Sequence, residues 1–333
     1  MALLGIGLLL VAASLFIALF RRTRIPDVLL LMLIGLALGQ VSGTVHPDDF
    51  GKAGGTISTI ALTVILFESG LTMSLSSLRQ AFGATLCVPL LAFVTTAAVV
   101  ATCAHWLLGL PPLLALALGA ILGGTSSAVV IPMVRQLGLA PGPATVLVLE
   151  SGITDVLSIV VSAALLDAYL SGGTSVAEVS RSIATSFGVA AGLGTVAALG
   201  LLFAVGALRA LPNPMVALVG VILFTFGAAE ALGASGGVAA LIFGFVVGNS
   251  IALGVPRLPG FSHVLALGHE PYVARFLGDL VFVLKTFFFV YLGILLRLTD
   301  WHLPGLAFGP MVAVYALRTR IVRLPLPPAT TSR

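Results

Sequence analysis

Residues 146–166 read VLVLESGITDVLSIVVSAALL. A helix that crosses a bilayer needs about 20 mostly apolar residues, and this stretch supplies them. It also carries two carboxylates, Glu150 and Asp155, among Val, Leu and Ile. A charge at membrane depth is costly and usually lines a polar path. On a helix, Ser151 and Asp155 (i, i+4) share a face, as do Glu150 and Thr154. The segment therefore presents one carboxylate–hydroxyl pair and a second such pair about 100° around the helix. Carboxylate and hydroxyl oxygens are the hard ligands that a dehydrated small cation wants. A carboxylate that takes either a cation or a proton makes the two compete for one place, so a single Asp can be the whole coupling device. The alternative for Asp155 is a hydrogen-bonded polar pair that locks two helices, and for Glu150 a pairing with a buried Arg.

The rest of the chain agrees with a membrane setting. Of 333 residues, 59% are hydrophobic, 8% are charged and 38 are Gly, against about 25% charged in a soluble domain. A soluble fold of this size cannot hide that much apolar surface. Soluble enzyme, nucleic-acid binder and disordered scaffold are excluded. The net charge of +4 does not point to nucleic acid, because membrane proteins place Lys and Arg in cytoplasmic loops. Cys87 and Cys103 show neither a disulfide framework nor metal spacing.

About eleven spans are expected in this all-α polytopic protein: 2–20, 25–41, 55–73, 83–104, 112–134, 143–170, 183–208, 214–232, 236–253, 274–296 and 302–321. The first lacks a positive leading region, so it reads as a retained helix and not a cleaved signal. With the N-terminus outside, twelve of the 16 Lys and Arg fall on the cytoplasmic side, only Lys52, Arg181 and Arg297 fall outside, and Lys285 lies within a span. Such a bias sets orientation. The expectation is a multi-pass protein of the cell membrane.

Segment two (LLLMLIGLALGQ, with Gly35 and Gly39) matches segment nine (AALIFGFVVGNS, with Gly244 and Gly248) at an offset of 209. Segment three, around Gly70, matches segment ten, around Gly293, at an offset of 223. The copies run in opposite directions, the pattern of an inverted repeat. The expected division is a membrane domain 1–323, with a first repeat about 1–170, a linking helix 183–208 and a partial second repeat 214–321, followed by a polar tail 324–333. Partners of segments five and six would fall past Arg333, so the second repeat is expected to be incomplete.

Segment five contains ALGAILGGTSSAVVIPMVRQLG, residues 117–138. Gly123 to Ser127, followed by Pro132, favour a helix interrupted in mid-membrane, where backbone carbonyls and helix ends face an ion. A small-residue packing face is the other reading.

LFESGLTMSLSSLRQ (66–80), GGTSSAVVIPMVRQLGL (123–139), LESGITDVLSIV (149–160) and KTFFFVYLGILL (285–296) together resemble the monovalent cation:proton antiporters, in their sodium/proton exchanger branch. The resemblance runs from residue 1 to about 323. It implies that Asp155 binds sodium or a proton alternately, and that Glu150 pairs with Arg318, with Arg320 the alternative by position. It also implies ligands at Thr125 and its neighbour Ser126 in the interrupted helix, and a homodimer. No cofactor is implied beyond the transported Na+, K+ or Li+ and H+. Two departures stand out. Thr125-Ser126-Ser127 replaces the frequent Thr-Asp-Pro, and Thr154 stands where Asn or Asp is usual. One ionisable group at the site points to electroneutral exchange.

The expected function is thus secondary antiport of a monovalent cation, Na+ first, against H+ by alternating access. Site residues are Asp155, Ser151, Thr125, Ser126 and Thr154, with Glu150–Arg318 as a structural pair. Lys285 is either a buried counter-ion or a snorkelling residue. Glu68 near the end of segment three caps its helix or pairs with Arg79. An intramembrane hydrolase would need a motif such as H-E-x-x-H, which HEPYVA at His269 lacks. The alternative kept from a different class is a truncated, non-transporting fragment or sensor on the antiporter scaffold.

Overall fold

The computed structural model describes residues 2–23, 26–76, 84–126, 129–130, 133–134, 137–139, 141–170, 172, 176–257, 271–297, 309 and 311–316. The described residues form eleven α-helices: α1 (Ala2–Thr23), α2 (Asp27–Leu36), α3 (Gly51–Thr72), α4 (Ala84–Leu108), α5 (Pro112–Gly123), α6 (Pro141–Leu170), α7 (Val176–Phe203), α8 (Val205–Ala210), α9 (Pro214–Ala231), α10 (Gly236–Gly248) and α11 (Pro271–Leu295). α2 runs on through a π-helical turn, Ala37–Val41, and a 3-10 turn, Pro47–Phe50, leads into α3.

Among the described residues, six helical stretches are long and apolar enough to cross a membrane, namely Pro47–Thr72, Pro89–Leu108, Val146–Leu170, Ser180–Phe203, Pro214–Ala231 and Pro271–Leu295. Four shorter apolar stretches join them: Leu4–Phe16, Asp27–Val41, Pro112–Gly123 and Gly236–Gly248. Ten of the expected segments are therefore present in order. The eleventh, 302–321, is described only at 309 and 311–316, which are helical. Local chemistry sets several ends. Pro112 and Pro214 occupy first-turn positions, where the missing N–H is no loss. The Ser235 hydroxyl accepts from Val238 N–H at the start of α10. The Glu230 carboxylate accepts from Gly236 N–H at 2.7 Å.

Two groups of helices result. In the larger, α3 packs along α10, and α7, α9 and α11 surround that pair. Phe67 and Phe243 meet edge to face at 4.9 Å between ring centroids, inside a core that includes Leu218, Ile222, Val273 and Leu277. In the smaller, α5 lies between α4 and α6. α6 joins the groups through α7 and α10, with Val156 and Ile159 packed on Leu66, Met73 and Leu241.

The glycines read as repeat markers sit where helices cross. A Cβ on Gly35 of α2 would strike the Val290 carbonyl and come within 2.9 Å of Gly293 Cα on α11. A Cβ on Gly293 would strike the Met32 carbonyl and meet Gly35 Cα at 2.9 Å. The α3–α10 crossing has the same form: a Cβ on Gly70 would strike the Leu241 carbonyl, and one on Gly244 the Phe67 carbonyl. One turn on, Gly39 faces Ile294 and Gly248 faces Leu71, and Leu71 and Ile294 stand at the same 223-residue offset. Exchanging each segment for its matched partner turns one crossing into the other, as an inverted repeat requires.

Candidate functional site

α5 stops in the middle of an apolar segment. Its last helical residue is Gly123, and Gly124 is extended, with φ −89° and ψ 163°. Helical hydrogen bonding resumes with Val130 N–H to the Ser126 carbonyl at 2.9 Å. The break at 124–126 is the interruption expected from the Gly-Gly-Thr-Ser run.

An interrupted helix leaves backbone groups to satisfy, and burying them unpaired is costly. α6 supplies the partner. Thr125 N–H donates to Thr154 Oγ1 at 3.1 Å, and the two threonine hydroxyls lie 3.4 Å apart. The Thr154 hydroxyl in turn donates to the Glu150 carbonyl at 2.9 Å. Thr154 is fully buried, as is Ser151, whose hydroxyl donates to the Val148 carbonyl at 3.0 Å. Thr154 thus pins the broken segment against the turn of α6 that carries Asp155.

The structure therefore brings Thr125 of the α5 break to a junction with Thr154 of α6, and Ser151 and Asp155 lie within one turn of Thr154 on the same helix. Asp155 is partly buried, and Ser126, the last residue of the break, is exposed. Glu150 is buried, at 9% exposure. Its expected partner Arg318 lies outside the described residues, as do Arg320, Arg79 and Ser127. Lys285 is settled by geometry: its Nζ lies 2.6 Å from Asp27 Oδ2, with side-chain exposures of 12% and 13%. It is the counter-ion of Asp27 at the start of α2 and has no place at the junction.

Two features were not read from the sequence. The first is Asn249, at the C-terminal end of α10. It donates to the Met73 and Phe245 carbonyls, each at 2.8 Å, and accepts from Leu75 N–H at 2.7 Å. It clamps the end of α3 to the end of α10. The second is a cavity of about 660 Å³ beside that clamp, where Glu68, Thr72, Ser74 and Asn249 give the lining its polar character. Met73 lines it too, and a Cβ on Gly152 of α6 would come within 2.9 Å of the Met73 thioether. Met73 therefore stands between the cavity and α6. Neither feature has a local signal, because both depend on where α3 and α10 end relative to each other.

Comparison with known proteins places the chain. Residues 9–327 match the transmembrane sodium/hydrogen exchanger family. A protein named K(+)/H(+) antiporter NhaP2, from Shewanella sp. strain ANA-3, is 27% identical over 331 residues, covering 96% of this chain and 55% of that protein. The K(+)/H(+) antiporter NhaP of Alkalimonas amylolytica is 29% identical over 341 residues, covering 98% and 55%. The Na(+)/H(+) antiporter NhaS2 of Synechocystis sp. is 29% identical over 278 residues, covering 83% and 50%. The chain spans about half the length of these curated relatives. The solved structure of the sodium proton antiporter MjNhaP1 from Methanocaldococcus jannaschii has the same fold, with a TM-score of 0.75 at 24% identity, covering 98% of this chain and 81% of that one. A broken apolar helix held against a carboxylate-bearing partner, within a multi-pass helical bundle matched over nearly its whole length, assigns the chain: it belongs to the transmembrane sodium/hydrogen exchanger family.

Proposed function

We propose that the chain exchanges a monovalent cation for protons across the membrane by alternating access, with Asp155 as the group for which cation and proton compete. The observation that carries this reading is the junction itself. The α5 break at 124–126 is bonded through Thr125 and Thr154 to the turn of α6 that bears Asp155. In this reading Thr125, Ser126 and Ser151 are the further oxygen ligands of the cation that Asp155 binds. Family membership and the names of the relatives support antiport, and those names divide between K(+) and Na(+). Sodium is our first assignment, with potassium and lithium the competitors.

Exchange follows from charge. Asp155 loaded with a cation or a proton is neutral overall and can change its exposure. Empty, it carries a charge that the apolar surroundings penalise. Each crossing thus carries one cation or one proton, which makes the exchange electroneutral. The cavity next to Glu68 is the vestibule in this scheme, with Met73 between it and α6. We further propose the Glu150–Arg318 pair as the brace of α6, a homodimer as the assembly, and a cell-membrane location with the N-terminus outside.

The test is cation-driven proton flux in dye-loaded proteoliposomes, with Na+, K+ and Li+ in turn. Asp155→Asn is expected to abolish flux while thermal unfolding in detergent stays within a few degrees of the parent. Full flux in a folded Asp155→Asn protein would overturn the assignment.

A further inference from the structure

A hydroxyl in a membrane helix ordinarily donates to a carbonyl of its own preceding turn. In α6 the Ser151, Thr154 and Ser162 hydroxyls all do so. Ser158 departs from this pattern. Its Oγ is buried and has no hydrogen-bond partner among the described residues. A buried hydroxyl without a partner forfeits the hydrogen bonds it makes in water, and the helix offers it the Thr154 carbonyl one turn back. It points instead at the helix break. A Cβ on Gly124 would come within 2.5 Å of Ser158 Oγ, and the Thr154 carbonyl lies 3.1 Å from the same point. Gly124 has no side chain, so the backbone of the break lies directly against the hydroxyl. Ser158 also continues the stripe of the junction, since Ser151, Asp155 and Ser158 stand at i, i+4 and i+7.

We infer that the Ser158 hydroxyl, free of a helix bond and held beside Gly124 at the α5 break, is a further oxygen ligand for the dehydrated monovalent cation, and that it helps to set which cation binds. This rests on the antiport reading and names a residue of that same site. The chemistry fits. A serine oxygen has lone pairs to offer a cation, and with Ser126 standing where a carboxylate is frequent in the family, neutral oxygens carry more of the coordination. Strongly hydrated Li+ and Na+ lose more on dehydration than K+, so loss of one ligand weighs on them most.

Ser158→Ala removes one oxygen, leaves the packing volume almost unchanged, and tests the proposal in the same proteoliposomes. The expected result is a rise of about tenfold in the Na+ concentration for half-maximal flux, which corresponds to about 1.4 kcal/mol. The maximal rate should stay within about twofold, and the preference should shift toward K+. A shift in unfolding temperature with half-saturation and cation ranking unchanged would mean that the hydroxyl merely holds a water or packs, and would overturn the proposal. The arms separate the two ideas. Dead Asp155→Asn with unaltered Ser158→Ala defeats the Ser158 assignment alone, whereas flux surviving in Asp155→Asn defeats the antiport site and the Ser158 ligand together. If the wild-type chain shows no flux, equilibrium binding of radioactive Na+ in detergent decides. Weaker binding by Ser158→Ala supports the assignment, and equal binding, or none by the wild type, overturns it.

Discussion

Thr154 shows how one side chain can do the work of a larger polar group. The family often has Asn or Asp at this position, and Thr offers a single hydroxyl that both donates and accepts. Here it donates to Glu150 and accepts from Thr125 N–H. Thr154→Val keeps the shape and removes both functions. Leaving a buried N–H unsatisfied costs about 1–3 kcal/mol, so the variant should unfold several degrees earlier in detergent. Thr154→Ser restores the hydroxyl and is expected to recover most of that loss. A Thr154→Val protein as stable as its parent would show that the α5 break is held by something else.

At the scale of elements, close approach of helices is the feature to explain. Association between membrane helices depends on packing and on small residues that let backbones meet, because lipid tails compete for apolar contact. Gly244 on α10 lies on the α3 backbone at Phe67, and Gly55 on α3 has nothing within 4 Å of where its Cβ would be. Gly244→Ala should therefore push α10 off α3 and destabilise by about 1–3 kcal/mol, the usual cost of overfilling a packed site. Gly55→Ala should be neutral or mildly stabilising, since Ala is the better helix former. Comparison of the two unfolding temperatures checks this, and equal shifts would contradict the crossing geometry. Asn249 belongs to the same scale. It finishes α10 with a hydrogen bond to the Phe245 carbonyl and holds the end of α3 through two more, so the two helices end together.

Across the whole molecule, the Asp27–Lys285 pair ties α2 to α11, residues 258 apart in sequence. Asp27 also sits in the first turn of α2, where a negative charge is favourable. Breaking a mostly buried pair from one side strands the other charge, at about 3–5 kcal/mol in soluble proteins. Lys285→Met alone should therefore be strongly destabilising. The double variant Asp27→Leu with Lys285→Met should recover much of the loss, because two apolar groups replace the pair without an orphan. Thermal unfolding of the single and double variants in detergent gives the coupling, and additive losses would show that the pair contributes nothing.

The amino-acid order alone determined the membrane setting, ten spans that stand as helices, the break in segment five and the α6 carboxylates. The physical reason is locality: hydropathy over about 20 residues, a Gly-Gly-Thr-Ser run and an i, i+4 spacing each act within one helix. It also set out the matched glycines, because both copies of each crossing need the same missing side chain. Tertiary structure decided everything that depends on which helix meets which. It paired Gly35 with Gly293 and Gly70 with Gly244, and gave Lys285 to Asp27, where the sequence left a buried counter-ion or a snorkelling side chain. It turned Thr154 toward Thr125, and left the Ser158 hydroxyl facing Gly124 without a bond among the described residues. In a helix rich in Ser and Thr each hydroxyl has the same local option, the carbonyl one turn back, so only the neighbouring helix determines which of them is kept free.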